Sequence, residues 1–473
     1  MRAPRAPQPS FADLELQAQG LALDATLQRI ATLLDEQPGL VDVVQQDLHR
    51  GLRNSRVGRP GMSAEQVLRT FILQRIKNWD LRELRERTAD GYTLRIFTGF
   101  FSAPVPRHDA LHRAFCRLTP ATVRALNELV IRWAVAEGLE EGTKLRADTT
   151  VVQTNVHYPT DSTLVWDGVR VLTRLVGKLR ALVPGLPVAF VNRTRSARRR
   201  MQEIQRLTPK QRQDQQVPKY RALLAIATEV AQAARAVVAA AATPSGPDPL
   251  AAAQILALRQ EISVYGDRTA QVLAQTRRRV LQGETVPTAD KLFSIFEPHT
   301  DLIKRGKAQT PVEFGHKVFL AESGRGLITD YRVLDGNPVD EAQVAPSLAR
   351  HHALVATALD LCAMDRGFFS AQALTACAAA GVAVECIPQR GGHKSPERAA
   401  YEKTRPFRMG QRFRAGIEGR ISVLFRGRGM KRCPLHGPER FEVFVGAAVL
   451  ANNLLVLAAL LQRRAGPRRR RAA

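Results

Sequence analysis

The chain has 473 residues, 45% of them apolar, which is enough for about three domains with filled cores and excludes disorder throughout. Lys and Arg number 70 against 44 Asp and Glu, and a formal charge of +26 points to a polyanionic partner, nucleic acid first. Five cysteines without a CxxC pair exclude a disulfide framework and a zinc ribbon, and residues 1–9 lack the apolar core of a secretory signal.

From residue 11 to about 136 the apolar side chains recur at helical spacing. Leu23, Leu27, Ile30 and Leu34 form one run; Val67, Leu68, Phe71 and Ile72 form another, opened by the capping box Ser63-Ala64-Glu65-Gln66; Val123, Leu126, Val130 and Trp133 form the last. This predicts an all-helical N-terminal domain over 1–140. No catalytic constellation appears in it, so DNA-end binding or dimerisation is its expected role. Residues 141–155 then read as a first strand with one carboxylate, Asp148, leading into a Tyr158-Pro159-Thr160-Asp161 turn suited to cap a helix. Residues 156–290 keep helical composition, with a loop at 243–249 and arginine-rich stretches at 193–200 and 277–279. They predict a large helical insertion between the first two strands, its Leu and Val stripes packed as in a coiled coil.

Beyond Leu292 the period changes. Residues 293–296, 316–321, 326–334, 354–364 and 382–387 read as strands and 341–350 and 370–380 as helices, so 291–462 predict a mixed α/β sheet with flanking helices. The uncharged run 443–461 approaches the length of a membrane span, but Asn452, Asn453 and its many alanines favour a helix buried against the sheet. A basic tail closes the chain at 463–473. With the runs at 193–200, 277–279 and 426–431 it spreads the positive charge as a long phosphate track.

A lone Asp on a strand is usually solvated or ion-paired, and a metal role requires other carboxylates to converge on it. Asp365 precedes Arg366-Gly367 at the carboxyl end of a strand, where an open α/β sheet presents its chemistry. Asp360, an odd number of residues earlier, points to the other face. Glu418 lies four residues after Arg414 in a stretch that can be helical, so the two share a face, the arginine near a phosphate and the glutamate near a metal. Glu385, in an apolar strand, and Glu402, flanked by basic residues, have simpler structural explanations. Three carboxylates are the hard-oxygen set that Mg2+ takes. Two such ions about 4 Å apart can activate a water or 3′-hydroxyl and stabilise the leaving oxygen of a phosphoryl displacement.

Asp148-Thr149-Thr150-Val151-Val152 with the Tyr158-Pro159-Thr160-Asp161-Ser162 phrase, then Phe314-Gly315-His316-Lys317, Asp365-Arg366-Gly367-Phe368 and Glu418, resemble the bacterial insertion-sequence DDE transposases, most closely the ISNCY group. Residues 67–73 are also similar to the N-terminal domain of related transposases. The resemblance covers nearly the whole chain. It implies a ribonuclease H-like core with Asp148, Asp365 and Glu418 as catalytic metal ligands, two Mg2+ ions for which Mn2+ can substitute, and cleavage followed by joining to target DNA. It further implies terminal inverted repeats as substrate, a homodimer or larger assembly on the ends, and a cytoplasmic, nucleoid-associated protein with no membrane partner. Arg414, Arg426, Arg428, Lys317, Arg198, Arg199 and Arg200 are the expected DNA contacts. Related families write Tyr-x2-Arg-x3-Glu-x6-Lys around the glutamate; here Gln411 stands at the Tyr position and Phe425 at the Lys position, leaving Arg426 or Arg428 to supply the cation. A catalytically silent DNA-binding relative and a magnesium nuclease that only hydrolyses are the alternatives.

Overall fold

The computed structural model describes residues 3–19, 22–54, 57, 60–241, 248–304 and 312–465. The loop expected at 243–249 lies mostly outside them, as does the basic tail from residue 466. The chain divides into two units, Met1–Gln153 with His316–Ala473, and Thr154–Gly315.

Among the described residues eight helices open the first unit: α1 (Phe11–Ala18), α2 (Ala25–Glu36), α3 (Pro38–His49), α4 (Ala64–Lys77), α5 (Leu81–Asp90), α6 (Tyr92–Thr98), α7 (His108–Phe115) and α8 (Pro120–Ala136). Ser10, Asp24, Ser63, Asp80 and Thr119 start five of them by accepting backbone N–H groups, Ser63 in the capping box read from the sequence. β1 (Lys144–Gln153) follows.

The second unit is a helical bundle of α9 (Asp161–Leu182), α10 (Thr194–Gln205), α11 (Pro209–Ala240) and α12 (Pro249–Thr276), packed around Leu172, Val176, Leu223, Ala227, Val230 and Ile262. Thr160 of the Tyr-Pro-Thr-Asp turn caps α9, accepting from the Thr163 amide at 3.2 Å. Two expectations change here. Residues 293–296 form no strand; Ile295 enters the bundle core and Phe293 packs on Phe314 with ring centroids 5.5 Å apart. β2 (Asp301–Lys304) pairs antiparallel with the first residues of β3 (Val312–Ser323), and this hairpin carries the unit past the expected boundary at 290 to Gly315.

Back in the first unit come β4 (Ile328–Val333), α13 (Val344–Leu354), β5 (Leu361–Ala363), α14 (Ala371–Ala379), β6 (Val384–Cys386), α15 (Pro396–Glu402), α16 (Arg405–Gly427) and α17 (Pro438–Ala465). The strands run in the order β3-β1-β5-β6; β5 is parallel to β1 and β6, and β4 pairs antiparallel with β3. Leu145, Ala147, Phe319 and Met364 cover one face against Val344, Leu348 and Ala373, and Val152, Val318 and Leu320 cover the other against Leu424, Val445 and Ala448. The strand expected over 354–364 is short because Leu354 still belongs to α13 and only Leu361–Ala363 is paired.

α17 ties the N-terminal helices to the rest of the first unit. Val443, Ala447, Leu450, Leu454 and Leu457 share one core with Val67, Leu68, Leu111, Val123, Leu126 and Val130, so the last helix packs into the core of the N-terminal helices. By length and composition α11 and α17 could each cross a membrane, but the most apolar window of α17 is 78% buried within the fold. Its two asparagines are used: Asn453 accepts from the Ile328 amide at 2.9 Å and donates to the Ile328 carbonyl at 3.0 Å, and Asn452 accepts from Arg420. Such amides are the polar connections of a protein core.

Candidate active site

Alternation along β1 sends Leu145 and Ala147 into the core and leaves Asp148 half-buried near the strand's middle. The backbone N–H of Thr149 donates to its Oδ1 at 2.7 Å. β5 runs parallel to β1, and Asp365 follows its last residue by two, where its Oδ1 accepts from the Gly367 amide at 2.7 Å and starts a short 3-10 turn. The parallel register thus sets Asp148, in the middle of β1, level with Asp365, just past the end of β5.

α16 brings the third acid. Thr404 caps it and Pro406 sits in its first turn. Its close approach to the sheet depends on two glycines: a Cβ on Gly410 would strike the Cys386 sulfur, and one on Gly416 would strike the Arg146 guanidinium. Arg146 donates to the Phe413 carbonyl and, with Arg420, holds the fully buried Glu322 at 2.7 and 2.8 Å. Gln411 donates to the carbonyls of Met364 and Cys386, fixing the helix across the ends of β5 and β6.

So held, α16 places Arg414 at the centre of the acids. Its Nη2 lies 3.2 Å from Asp148 Oδ2 and 3.8 Å from Asp365 Oδ2, and its Nη1 lies 3.3 Å from Glu418 Oε1. Its Nε is buried with no hydrogen-bond partner among the described residues. Burial pushes the Asp148 carboxyl up to about 6, against the pull of Arg414 and the Thr149 amide and with added repulsion from Asp365 and Asp340. Asp340 is the residue that sequence reasoning missed. It accepts from Thr149 Oγ1 at 3.0 Å and pairs with Lys317 at 2.8 Å, and its only sequence signal is its place at the start of a helical segment. Gly367 keeps the space beside Asp365 Oδ1 and Asp340 Oδ2 clear, since a Cβ there would lie 2.9 and 3.3 Å from them.

Among the described residues no three His, Cys, Asp or Glu side chains are placed as a ready metal cluster. The arginine lies between them instead, and Glu418 is exposed. The expected DNA contacts fare differently. Arg414 faces the acids; Lys317 is spent on Asp340 and the Pro338 carbonyl; Arg428 donates to the Ile76 carbonyl. Arg426 is exposed, as are Arg198 and Arg199 on α10, whereas Arg200 pairs with Glu203 at 2.9 Å. The run at 277–279 is exposed but engaged within its own unit: Arg277 donates to Thr228, Arg278 pairs with Glu284, and Arg279 pairs with Asp161.

Residues 16–117 match the family described as Transposase domain (DUF772). The match supports a transposase. It runs from within α1 to just beyond α7, so all the acids lie outside the matched stretch. No curated protein and no solved structure matches the chain.

Proposed function

We propose that this protein is a DDE transposase of the insertion-sequence kind, closest to the ISNCY group, which binds terminal inverted repeats, cleaves the ends and joins 3′-hydroxyls to target DNA in the bacterial cytoplasm. One observation carries the reading: Asp148, Asp365 and Glu418, separated by 217 and 53 positions in the sequence, converge on a single guanidinium. The strand order, with β5 parallel to β1 and β6 and the β3–β4 pair antiparallel, suits a ribonuclease H-like core.

The donor set fits a hard divalent cation. Asp148 and Asp365 offer carboxylate oxygens from neighbouring parallel strands, Gly367 leaves room beside them, and a cation already marks the point where the negative charge gathers. Asp148, Asp365 and Glu418 would hold Mg2+ or Mn2+, which supplies activation of the attacking oxygen and charge stabilisation at the leaving one. Within the protein, Arg414 offsets the repulsion among the carboxylates and keeps Asp148 ionised against its burial. Gln411, Gly410 and Gly416 set the height of Glu418 over the sheet.

The test is cleavage of a labelled duplex carrying the element's terminus in Mg2+, beside a binding titration in Ca2+. Metal-dependent cleavage with joined products on a target duplex is expected. Cleavage without joined products would make the protein a nuclease. The embedded guanidinium favours one other reading, a silent DNA-binding relative, which requires end binding with no cleavage in either metal.

A further inference from the structure

The first unit contains a second strongly charged recess, at the C-terminal end of α4. It is a cleft of about 630 Å³ whose walls include Arg75, Asn78, Trp79, Arg82, His108 and Arg432. Arg75 enters from α4. Its Nη2 donates to the Arg428 carbonyl at 2.8 Å and its guanidinium lies 4.3 Å from the Phe444 ring centroid, yet its Nε is buried and bonds nothing among the described residues. Neither Arg75 nor Arg428 is ion-paired to an acid among the described residues, although Arg428 donates to the Ile76 carbonyl one residue beyond Arg75. Burial, together with Arg428, pushes Arg75 down to about 10.

Buried charges in proteins are otherwise paired, and two neighbouring half-buried guanidiniums, each with a buried, unpartnered Nε and no acid, carry an uncompensated electrostatic cost. The acid on the cleft wall, Asp80, does not relieve it. Its carboxylate caps α5, accepting from the Arg82 and Glu83 amides at 2.8 and 2.9 Å. His108 is spent on Asp109. The floor is built for close approach: Asn78 takes a left-handed conformation with φ 55°, and Gly429, φ 62°, packs against it where any Cβ would strike the Asn78 amide. Trp79 adds an aromatic wall of the sort on which bases stack.

We propose that this cleft binds a backbone phosphate of a DNA strand, with Arg75 as the buried anchor and Arg82 at the rim. The missing counter-charge is then supplied by the ligand, and a planar guanidinium suits phosphate. α16 links the cleft to the acids: Arg428 lies ten residues beyond Glu418, about 15 Å along a helix or about four base pairs of duplex. The choice of DNA over a small phosphate rests on the proposed function; the need for an anion does not.

The probe is a labelled duplex of unrelated sequence, titrated without divalent metal, with inorganic pyrophosphate titrated separately by tryptophan fluorescence. Arg75→Met should weaken duplex binding about tenfold and Arg82→Ala about threefold, while Arg29→Ala, a half-buried arginine on α2 that donates to the Ala25 carbonyl, leaves it unchanged. Arg75→Met should melt no lower than the parent, because an unpaired buried charge has gone; a simple structural staple would melt lower and bind as before. If Arg75→Met does not fold, Arg82→Ala decides alone, and a loss no greater than that of Arg29→Ala overturns the site. Pyrophosphate binding more tightly than the duplex overturns the DNA assignment. No step involves cleavage, so a parent that binds through Arg75 and never cuts refutes the proposed function and leaves this site standing.

Discussion

Arg398 and Arg414 are both hubs of carboxylates at the same end of the sheet, and they are built in opposite ways. Arg398 donates to Glu385, Glu402 and the Ile387 carbonyl, and its guanidinium carbon lies 5.3 to 5.7 Å from the ring centroids of Phe369, Tyr401 and Phe407. Glu402 also accepts from Lys394 and the Gln389 amide, which hold its carboxyl below the usual range against its desolvation. Arg414 instead meets three acids at 3.2 to 3.8 Å, keeps a bare Nε, and leaves Asp148 raised. A finished cluster fastens a helix to a sheet. An unfinished one keeps charge available for something that is not part of the chain.

The sharpest break between them comes from neutralising the acids. Asp148→Asn and Asp365→Asn should each lower end cleavage at least a thousandfold, about 4 kcal/mol of barrier, with the fold and end binding retained. Glu418→Gln should follow them. Measured beside circular dichroism and a Ca2+ binding titration, normal cleavage by Glu418→Gln would remove it from the ligand set. Arg414→Ala should lower binding and cleavage together.

The opposite outcome is expected at the finished cluster. Arg398→Ala strands Glu385 in a partly buried place, while Glu402 keeps Lys394 and the Gln389 amide, and should cost on the order of 3 kcal/mol of stability, read as a shift in the denaturation midpoint. Any cleavage lost should scale with the unfolded fraction. A stable Arg398→Ala with abolished cleavage would mean that this cluster, too, belongs to the chemistry.

The pH response separates the clusters more finely. Asp148 has its carboxyl raised from 3.8 to about 6, so the stability held by its protonated form is full below about pH 4 and is lost as pH rises through about 6. Asp148→Asn should therefore gain on the order of 1–2 kcal/mol over the parent above pH 7, part of the shift being offset by the contact Arg414 loses, and nothing below about pH 4. Parent cleavage should rise with ionisation near pH 6. A parent and variant with parallel stability profiles across pH 4–8 would remove the raised carboxyl from the argument.

The sequence already held the parts whose signals are local. The capping box at Ser63, the strand at Asp148, the turn at Thr160 and the i,i+4 pair Arg414 and Glu418 each declare themselves within a few residues. What was illegible depended on contacts across hundreds of positions. Nothing near Val443 says that α17 completes the core of Val67 and Leu111, and nothing near Asp340 says that it sits beside Thr149. The destination of the basic residues was hidden at shorter range too, because a sequence does not show which acid a cation meets: Lys317, Arg278 and Arg279 look like phosphate ligands until Asp340, Glu284 and Asp161 are found beside them.

α10 offers a third kind of arginine, one with no acid at all, and with it the smallest expected effect. Ala197, Met201 and Ile204 face the bundle core, so helical periodicity turns Arg195, Arg198 and Arg199 outward. None of the three is ion-paired among the described residues, while Arg200 is held by Glu203. Charges of this sort contribute little to stability and much to long-range attraction for a polyanion. Replacing Arg198 and Arg199 by alanine should leave the melting temperature unchanged and reduce the salt dependence of DNA binding by about two in the log–log slope, one per released phosphate contact. Adding Arg200→Ala should change the slope by less than either of the others, because its charge is already partly neutralised. The measurement is DNA affinity across about 50 to 200 mM salt. A parent slope near zero would end the phosphate-track reading altogether; a steep parent slope that the double variant does not alter would make α10 scaffold and move the track to other arginines.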